Sequence, residues 1–347
     1  MKAHPKMKII PPLIALLTIT GLGFAQFQDI PEIVTRVGTS TGNWLKLNVD
    51  VRGIGMGGTN IAAGRGVVTI PSNPAGIAFI EKSQIYASKV SHLAGISYSV
   101  FAIGQRFGQS DFIGLHLFYL DSGPIKETTL EQSNGTGNMY HVTSIALRVA
   151  YARRLTDRLK VGININYIHD QIHTSYMQTF AFDIGSNFNT GIYGFVLGMS
   201  VTNFGPEVEY HGKGLNQDVN ENLEVGGQLR KVTSSFPLPL AFKLGVANNL
   251  IGPNSTFIQD GTNRLTVSIE GVNPMDNLLS GGAGLEYGWN EMFFLRMGSY
   301  LGHDTGRFTT GAGMKYRAGM FIVSVDYAFA DYGILESTHQ IGIGMEF

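Results

Sequence analysis

Cysteine is absent from this 347-residue chain, so neither disulfides nor thiolate metal sites are available to it. Charge is scarce as well. The 25 Lys and Arg nearly balance 26 Asp and Glu and form no basic run, which excludes the electrostatic footprint of nucleic-acid binding. Long apolar runs are also missing, apart from Ile9 to Phe24 behind Lys2, Lys6 and Lys8. That run is short of the ~20 residues a spanning helix needs, and it carries Pro11 and Pro12. It ends on Gly23-Phe24-Ala25, with small residues where a signal peptidase requires them. Residues 1–25 are therefore expected to be a cleaved signal peptide of an exported protein, and the lack of Cys excludes a lipoprotein. No second apolar stretch could form a spanning helix, which excludes a helical inner-membrane protein.

What the chain does contain is 45 glycines and many aromatics, a composition suited to strands and tight turns. From about residue 83 to the end, polarity alternates with period two in segments of about nine to eleven residues, the length of a tilted strand crossing a bilayer. In 159-LKVGININYIH-169, Val161, Ile163, Ile165 and Tyr167 fall on one face and Lys160, Gly162, Asn164 and Asn166 on the other. Ile145 to Tyr151, Leu240 to Val246, Leu265 to Ile269, Phe321 to Tyr327 and Ile341 to Phe347 repeat the pattern. About fourteen such segments predict an all-β, transmembrane antiparallel barrel over 83–347. Short turns such as 155–158 and 288–290 alternate with long segments at 121–142 and 204–237, which fall on one side of an up-and-down barrel. Phe118, Tyr119, Tyr287, Trp289, Tyr300, Tyr316 and Phe329 lie near segment ends, as interfacial girdles require. The last strand closes on an aromatic, Phe347, the expected contact for the barrel-assembly machinery.

If the apolar face meets lipid, the opposite face collects Arg148, Lys160, Lys243, Glu270, Glu286, Arg296, Lys315, Arg317, Asp326 and Glu346 in the lumen. Neighbouring strands place Glu286 beside Arg296, and Lys315 and Arg317 beside Asp326. Mixed signs predict cross-linked walls and a narrow or plugged barrel rather than a general porin.

The stretch 52-RGIGMGGTNIAAG-64 has the G-x-G-x-x-G spacing of a dinucleotide site in Gly53, Gly55 and Gly58, with Glu81 further on. A helix must follow such glycines to present its N-terminus to pyrophosphate, and Gly64, Gly66, Pro71 and Pro74 prevent one. No cofactor is expected. Gly38-Thr39-Ser40-Thr41-Gly42 matches a hydrolase nucleophile elbow but has no preceding sheet to hold it, so no catalytic residue is assigned. His169 and His173 sit at a strand end and loop, where four-residue spacing does not converge on a metal. No metal site is expected.

Val37-Gly38-Thr39-Ser40, Trp44-Leu45-Lys46, Arg52-Gly53-Ile54-Gly55-Met56-Gly57-Gly58 and Asn73-Pro74-Ala75-Gly76 resemble the N-terminal signature of the PorV/PorQ family of outer-membrane proteins. The likeness continues more weakly through 150–164, 284–300 and Phe347. It departs at Gly64-Arg65-Gly66, where the family carries an acidic pair, and at Ser72. The resemblance implies a Gram-negative outer-membrane protein with a fourteen-stranded barrel similar to the fatty-acid transporter FadL. Residues 26–82 would be a hatch inside it, built on Gly53, Gly55, Met56, Gly57, Gly58, Asn73, Pro74 and Gly76. It further implies a role in type IX secretion, with secreted proteins carrying C-terminal signal domains as partners alongside outer-membrane lipid. The alternative reading is a FadL-like transporter with a hydrophobic ligand. No enzymatic activity is expected under either.

Overall fold

The computed structural model describes residues 36–218 and 228–347. The expected signal peptide, residues 26–35 of the expected hatch and part of the second long loop lie outside the described residues. Val37 onward forms one compact unit.

Within it, fourteen antiparallel strands run in chain order: β1 Ser83–Ser91, β2 Ser97–Phe107, β3 Asp111–Asp121, β4 Val142–Arg154, β5 Leu159–Ile172, β6 Ser175–Asn189 and β7 Val196–Phe204, followed by β8 Ala241–Gly252, β9 Asn263–Pro274, β10 Ser280–Trp289, β11 Phe293–Leu301, β12 Phe308–Ala318, β13 Phe321–Asp331 and β14 Ser337–Glu346. Each strand pairs with its sequence neighbours, and β1 pairs with β14 from Gln84↔Glu346 to Ser91↔His339, so the sheet closes on itself. Closure removes the free edges that hydrocarbon cannot solvate.

The alternation in β5 settles which face is which. Ile163 and Ile165 are 50% and 49% exposed, while Asn164 and Asn166 between them are 1% and 0% exposed. The same contrast holds for Leu147 and Val149 against Arg148, and for Ile341 and Ile343 against Gln340. A continuous apolar exterior of this size belongs in hydrocarbon, since soluble proteins expose only small apolar patches.

Both barrel termini lie on one side, here called the terminus side. The connections 122–141 and 205–240 lie on the other, the long-loop side, as their even spacing in an up-and-down barrel requires. Tyr119, Tyr287, Trp289 and Tyr316 face outward near strand ends. Phe118 and Tyr300 do not belong to the girdle. Phe118 is 2% exposed and stacks on Trp44, with centroids 5.4 Å apart, while Tyr300 stacks on Tyr332 at 6.1 Å. Strand parity decides this: Phe118 shares the inward face of Phe112 and His116, and Tyr300 that of Arg296 and Gly298. The turn expected at 288–290 begins at Asn290, after β10, and not at Gly288.

Candidate functional site

Residues 40–80, ahead of β1, pack against inward-facing residues of the barrel wall. This segment has little regular structure: one turn of helix, α1 Val51–Gly55, and three short 3-10 turns at Asn43–Lys46, Val67–Thr69 and Pro74–Phe79. Asp50 caps α1 by accepting from the Arg52 amide at 3.1 Å. Asn73 caps the third turn, accepting from Ala75 at 3.1 Å, so Asn73-Pro74 starts the 3-10 turn that precedes β1.

Glycine on both partners lets this backbone lie against the wall. Gly57 has φ +71°, and a Cβ there would stand 2.6 Å from the Ala283 carbonyl and 2.7 Å from that of Ser299. Conversely, a Cβ on Gly282, Gly284 or Gly298 of the wall would overlap the Met56-Gly57 backbone. Gly162 and Gly185 similarly leave room for Asn73 and Pro74, and Asn73 Nδ2 donates to Ile61 O at 2.8 Å and Ser186 O at 3.0 Å. Gly53 packs on Asn60 and Asp50, Gly55 on Gly311 and Arg296, and Gly76 on Thr69.

The two halves of the lumen hold the segment differently. Toward β2–β6, Val67, Ile70, Ile77 and Ile80 pack on Val100, Phe112, Ala150 and Ile168 in one buried apolar cluster. Toward β9–β13 the contact is ionic. Arg52 Nε and Nη2 donate to the two oxygens of Glu286 at 2.7 and 2.9 Å. Arg296 Nε reaches the same carboxylate at 2.7 Å, and Arg264 Nη1 does so at 2.9 Å. Arg296 Nη1 continues to Asp326 Oδ1 at 2.6 Å. Glu270 Oε2 accepts the Asn60 and Ile61 amides at 2.8 and 2.9 Å.

The structure therefore places Glu286 beside Arg296, in register across β10 and β11. Asp326, however, is bonded by Arg296 and not by Lys315 or Arg317. Gly311 and Gly313 have no side chains to block Arg296 from crossing β12, and a Cβ on Gly313 would meet both Asp326 and Arg296. Lys315 instead approaches Glu346 at 3.9 Å, Gln84 donates to Glu346 at 3.1 Å, and Arg317 is exposed at the end of β12. Arg148 is 3% exposed, with His116 Nδ1 3.4 Å from its Nη1. Phe347 exchanges backbone hydrogen bonds with Ser83 at 3.0 Å and packs on Phe321. Arg52 and Arg264 were not singled out from the sequence. Arg264 shares the parity of Glu270, so that signal was available; Arg52 lies where no periodicity operates.

Two cavities flank the segment and share no lining residue. The terminus-side cavity, about 380 Å³, is lined by Arg52, Arg65, Arg264, Glu286, Lys315 and Glu346 among others, and is strongly charged. The long-loop-side cavity, about 420 Å³, has Leu45, Leu47, Leu93, Val272, Tyr300 and Tyr332 in its walls together with Lys46, Asn48, His92, Lys243, Glu270 and His303. At its edge, Ser40 donates to Asp276, which also accepts Lys46 Nζ at 2.9 Å. Both Ser40 and Lys46 thus act as donors to one carboxylate, an arrangement that activates neither. His169 lies in β5 and stacks on Tyr176, whereas His173 turns away at φ +52° toward Glu127, 3.9 Å distant. No group of three metal-ligating side chains occurs among the described residues.

No known protein family matches the sequence, and no curated protein matches it. Solved structures do match. The toluene transporter TodX of Pseudomonas putida is 11% identical, over 85% of this chain and 96% of that one, with a TM-score of 0.53. The toluene transporter TbuX of Ralstonia pickettii is 14% identical over 85% and 96%, with a TM-score of 0.51. A Pseudomonas aeruginosa FadL homologue is 9% identical over 86% and 97%, with a TM-score of 0.52. At such identities the likeness establishes a shared barrel fold.

Proposed function

We propose that the chain is a non-enzymatic outer-membrane channel for small hydrophobic molecules, exported by its signal peptide, with residues 37–82 as a hatch and the long loops outside the cell. The observation that carries this reading is the long-loop-side cavity. It is a chamber in which Leu45, Leu47, Leu93, Val272, Tyr300 and Tyr332 form an apolar wall among polar groups such as Asn48, His92, Lys243 and His303, and it ends on the internal segment, in a fold shared with toluene transporters. Small-molecule sites combine apolar wall with placed polar groups.

A side exit fits the same chamber. Where Asn203, at φ +64°, lines it, pairing between β6 and β7 shifts register between Phe182 and Ile184. Asn203 Nδ2 there bonds Pro239 O at 3.1 Å. Neither Pro237 nor Pro239 has an N–H with which to extend the ladder. Outer-membrane lipid would then be both surroundings and destination, with Phe347 serving assembly.

The experiment is uptake of toluene by proteoliposomes holding the protein or its Val272→Trp variant, in which an indole fills the chamber. Faster uptake by the unaltered protein, reduced about tenfold by the variant, supports the channel. Uptake no faster than that of empty liposomes refutes it. The type IX reading rests on the N-terminal signature, whose glycines and Asn73 the packing against the wall already explains. Capture of proteins bearing C-terminal signal domains from native membranes would revive it.

A further inference from the structure

At the terminus-side mouth, four cations gather on two phenyl rings. Arg65 Cζ lies 3.8 Å and Lys160 Nζ 4.4 Å from the centroid of Phe79. Arg154 Cζ lies 4.8 Å and Arg106 Cζ 6.0 Å from that of Phe112. Arg154 and Lys160 are directly opposite each other in β4 and β5 and both face inward. Like charges in that position destabilise a sheet.

None of the four has a carboxylate within 4.0 Å among the described residues. Asp111, the nearby acid on β3, is taken by Arg153 at 3.6 Å and Tyr151 at 2.6 Å. The hydrogen bonds they do make go to carbonyls. Arg154 Nε donates to Ala78 O at 2.7 Å, Arg65 Nη1 to Ala62 O at 2.9 Å, and Arg106 Nη2 to Gln109 O at 2.6 Å. That leaves donors over. Lys160 Nζ makes no hydrogen bond among the described residues, and Arg106 Nε is buried without a partner. Cation–π contacts steady the positions of these charges but do not neutralise them. Arg52, Arg264 and Arg296 meet a carboxylate at Glu286, whereas here the counter-charges that act on the cluster, Asp157 on Lys160 and Glu286 on Arg65, stand beyond 4.0 Å.

We propose that Arg65, Arg106, Arg154 and Lys160 form an anion site at the terminus-side mouth that takes an oxyanion, the phosphate of a lipid headgroup or a free phosphate. Forked guanidinium donors suit planar or tetrahedral oxyanions, and Lys160 adds a point charge. Arg106, Arg154 and Lys160 project from inward-facing strand positions and Arg65 from the internal segment, so the anion enters from the aqueous mouth rather than across the apolar belt. The site is independent of the channel reading, because its ligand needs no hydrocarbon.

The test places the full chain in phosphatidylcholine nanodiscs and titrates it calorimetrically with inorganic phosphate. Native mass spectrometry of the membrane-extracted protein then reads retained phosphatidylglycerol. Phosphate binding that weakens about tenfold or more in Arg65→Gln/Lys160→Gln supports the site and a free anion as its source. Loss of retained phosphatidylglycerol in the same variant, without phosphate binding, supports the site and a lipid source. Neither ligand bound by the unaltered protein, or equal binding by a folded variant, overturns it. Should the double variant fail to assemble, Lys160→Gln alone serves, since that ammonium makes no hydrogen bond. It should also raise the thermal midpoint in phosphate-free buffer by relieving repulsion, whereas a purely structural lysine would lower it.

Discussion

Arg52 of the internal segment and Glu286 of β10 form a two-point ion pair, 2.7 and 2.9 Å, in which the carboxylate is fully buried. The carboxylate also receives Arg296 and Arg264, so one wall residue gathers three guanidinium groups. A buried pair is weak support for net stability, yet breaking one side of it leaves an uncompensated charge.

Glu286→Ala, which leaves Arg52 without a carboxylate partner, should therefore lower unfolding stability by about 3–5 kcal/mol in denaturant titrations of the reconstituted protein. It should also raise single-channel conductance as the segment loosens. Arg153→Ala, which removes an exposed 3.6 Å pair with Asp111, should change stability by under about 1 kcal/mol. Equal effects of the two would contradict the assignment.

Substitutions at glycine should sort by what faces them. Gly57→Val and Gly298→Val put a side chain into the opposing backbone and should abolish the heat-modifiable form on gels. Gly271→Ala meets nothing within 4 Å and should stay within about 0.5 kcal/mol of the parent.

The outer face should reject charge. Ile165→Arg should cost about 2–4 kcal/mol if the residue sits near the bilayer midplane, seen as reduced folding yield into liposomes. Gln178→Arg, on an exposed position of β6 near the long-loop side, should be milder because such penalties fall toward the interface.

One contact should respond to acid. Burial raises the Asp276 carboxyl, but the Ser40 hydroxyl and the Lys46 ammonium outweigh it and leave the group below its ordinary value of 3.8. A carboxyl depressed on folding contributes stability above its unfolded value, lost as pH falls through the folded one. The tie between the Ser40 region and the β9–β10 connection should thus protect residues 37–46 from proteolysis equally at pH 7 and pH 5. Protection should fail only below pH 3.8, and Asp276→Asn should remove that dependence.

The barrel was legible because lipid and lumen impose a two-residue period: Ile163 and Asn164 have no alternative faces once one side is hydrocarbon. Parity also placed Glu286, Arg296 and Asp326 inside the wall. It could not say which charges would meet, because Arg296 reaches Asp326 over glycines of an intervening strand, and a glycine in a sequence does not reveal what crosses it. Phe118 and Tyr300 show the converse limit. Position near a strand end suggested a girdle, while parity, followed strictly, turns both inward. The internal segment has no period at all. Arg52, Asn60 and Asn73 are placed by contacts with strands distant in sequence, and the cavities on either side are made jointly by both partners.

The most direct measurement is anomalous diffraction from crystals soaked in 4-bromotoluene. Bromine density in the long-loop-side chamber, among Leu47, Val272 and Tyr300, is the expected result. Bromine found only along the apolar exterior, with the chamber filled by solvent, would contradict a channel for hydrophobic molecules.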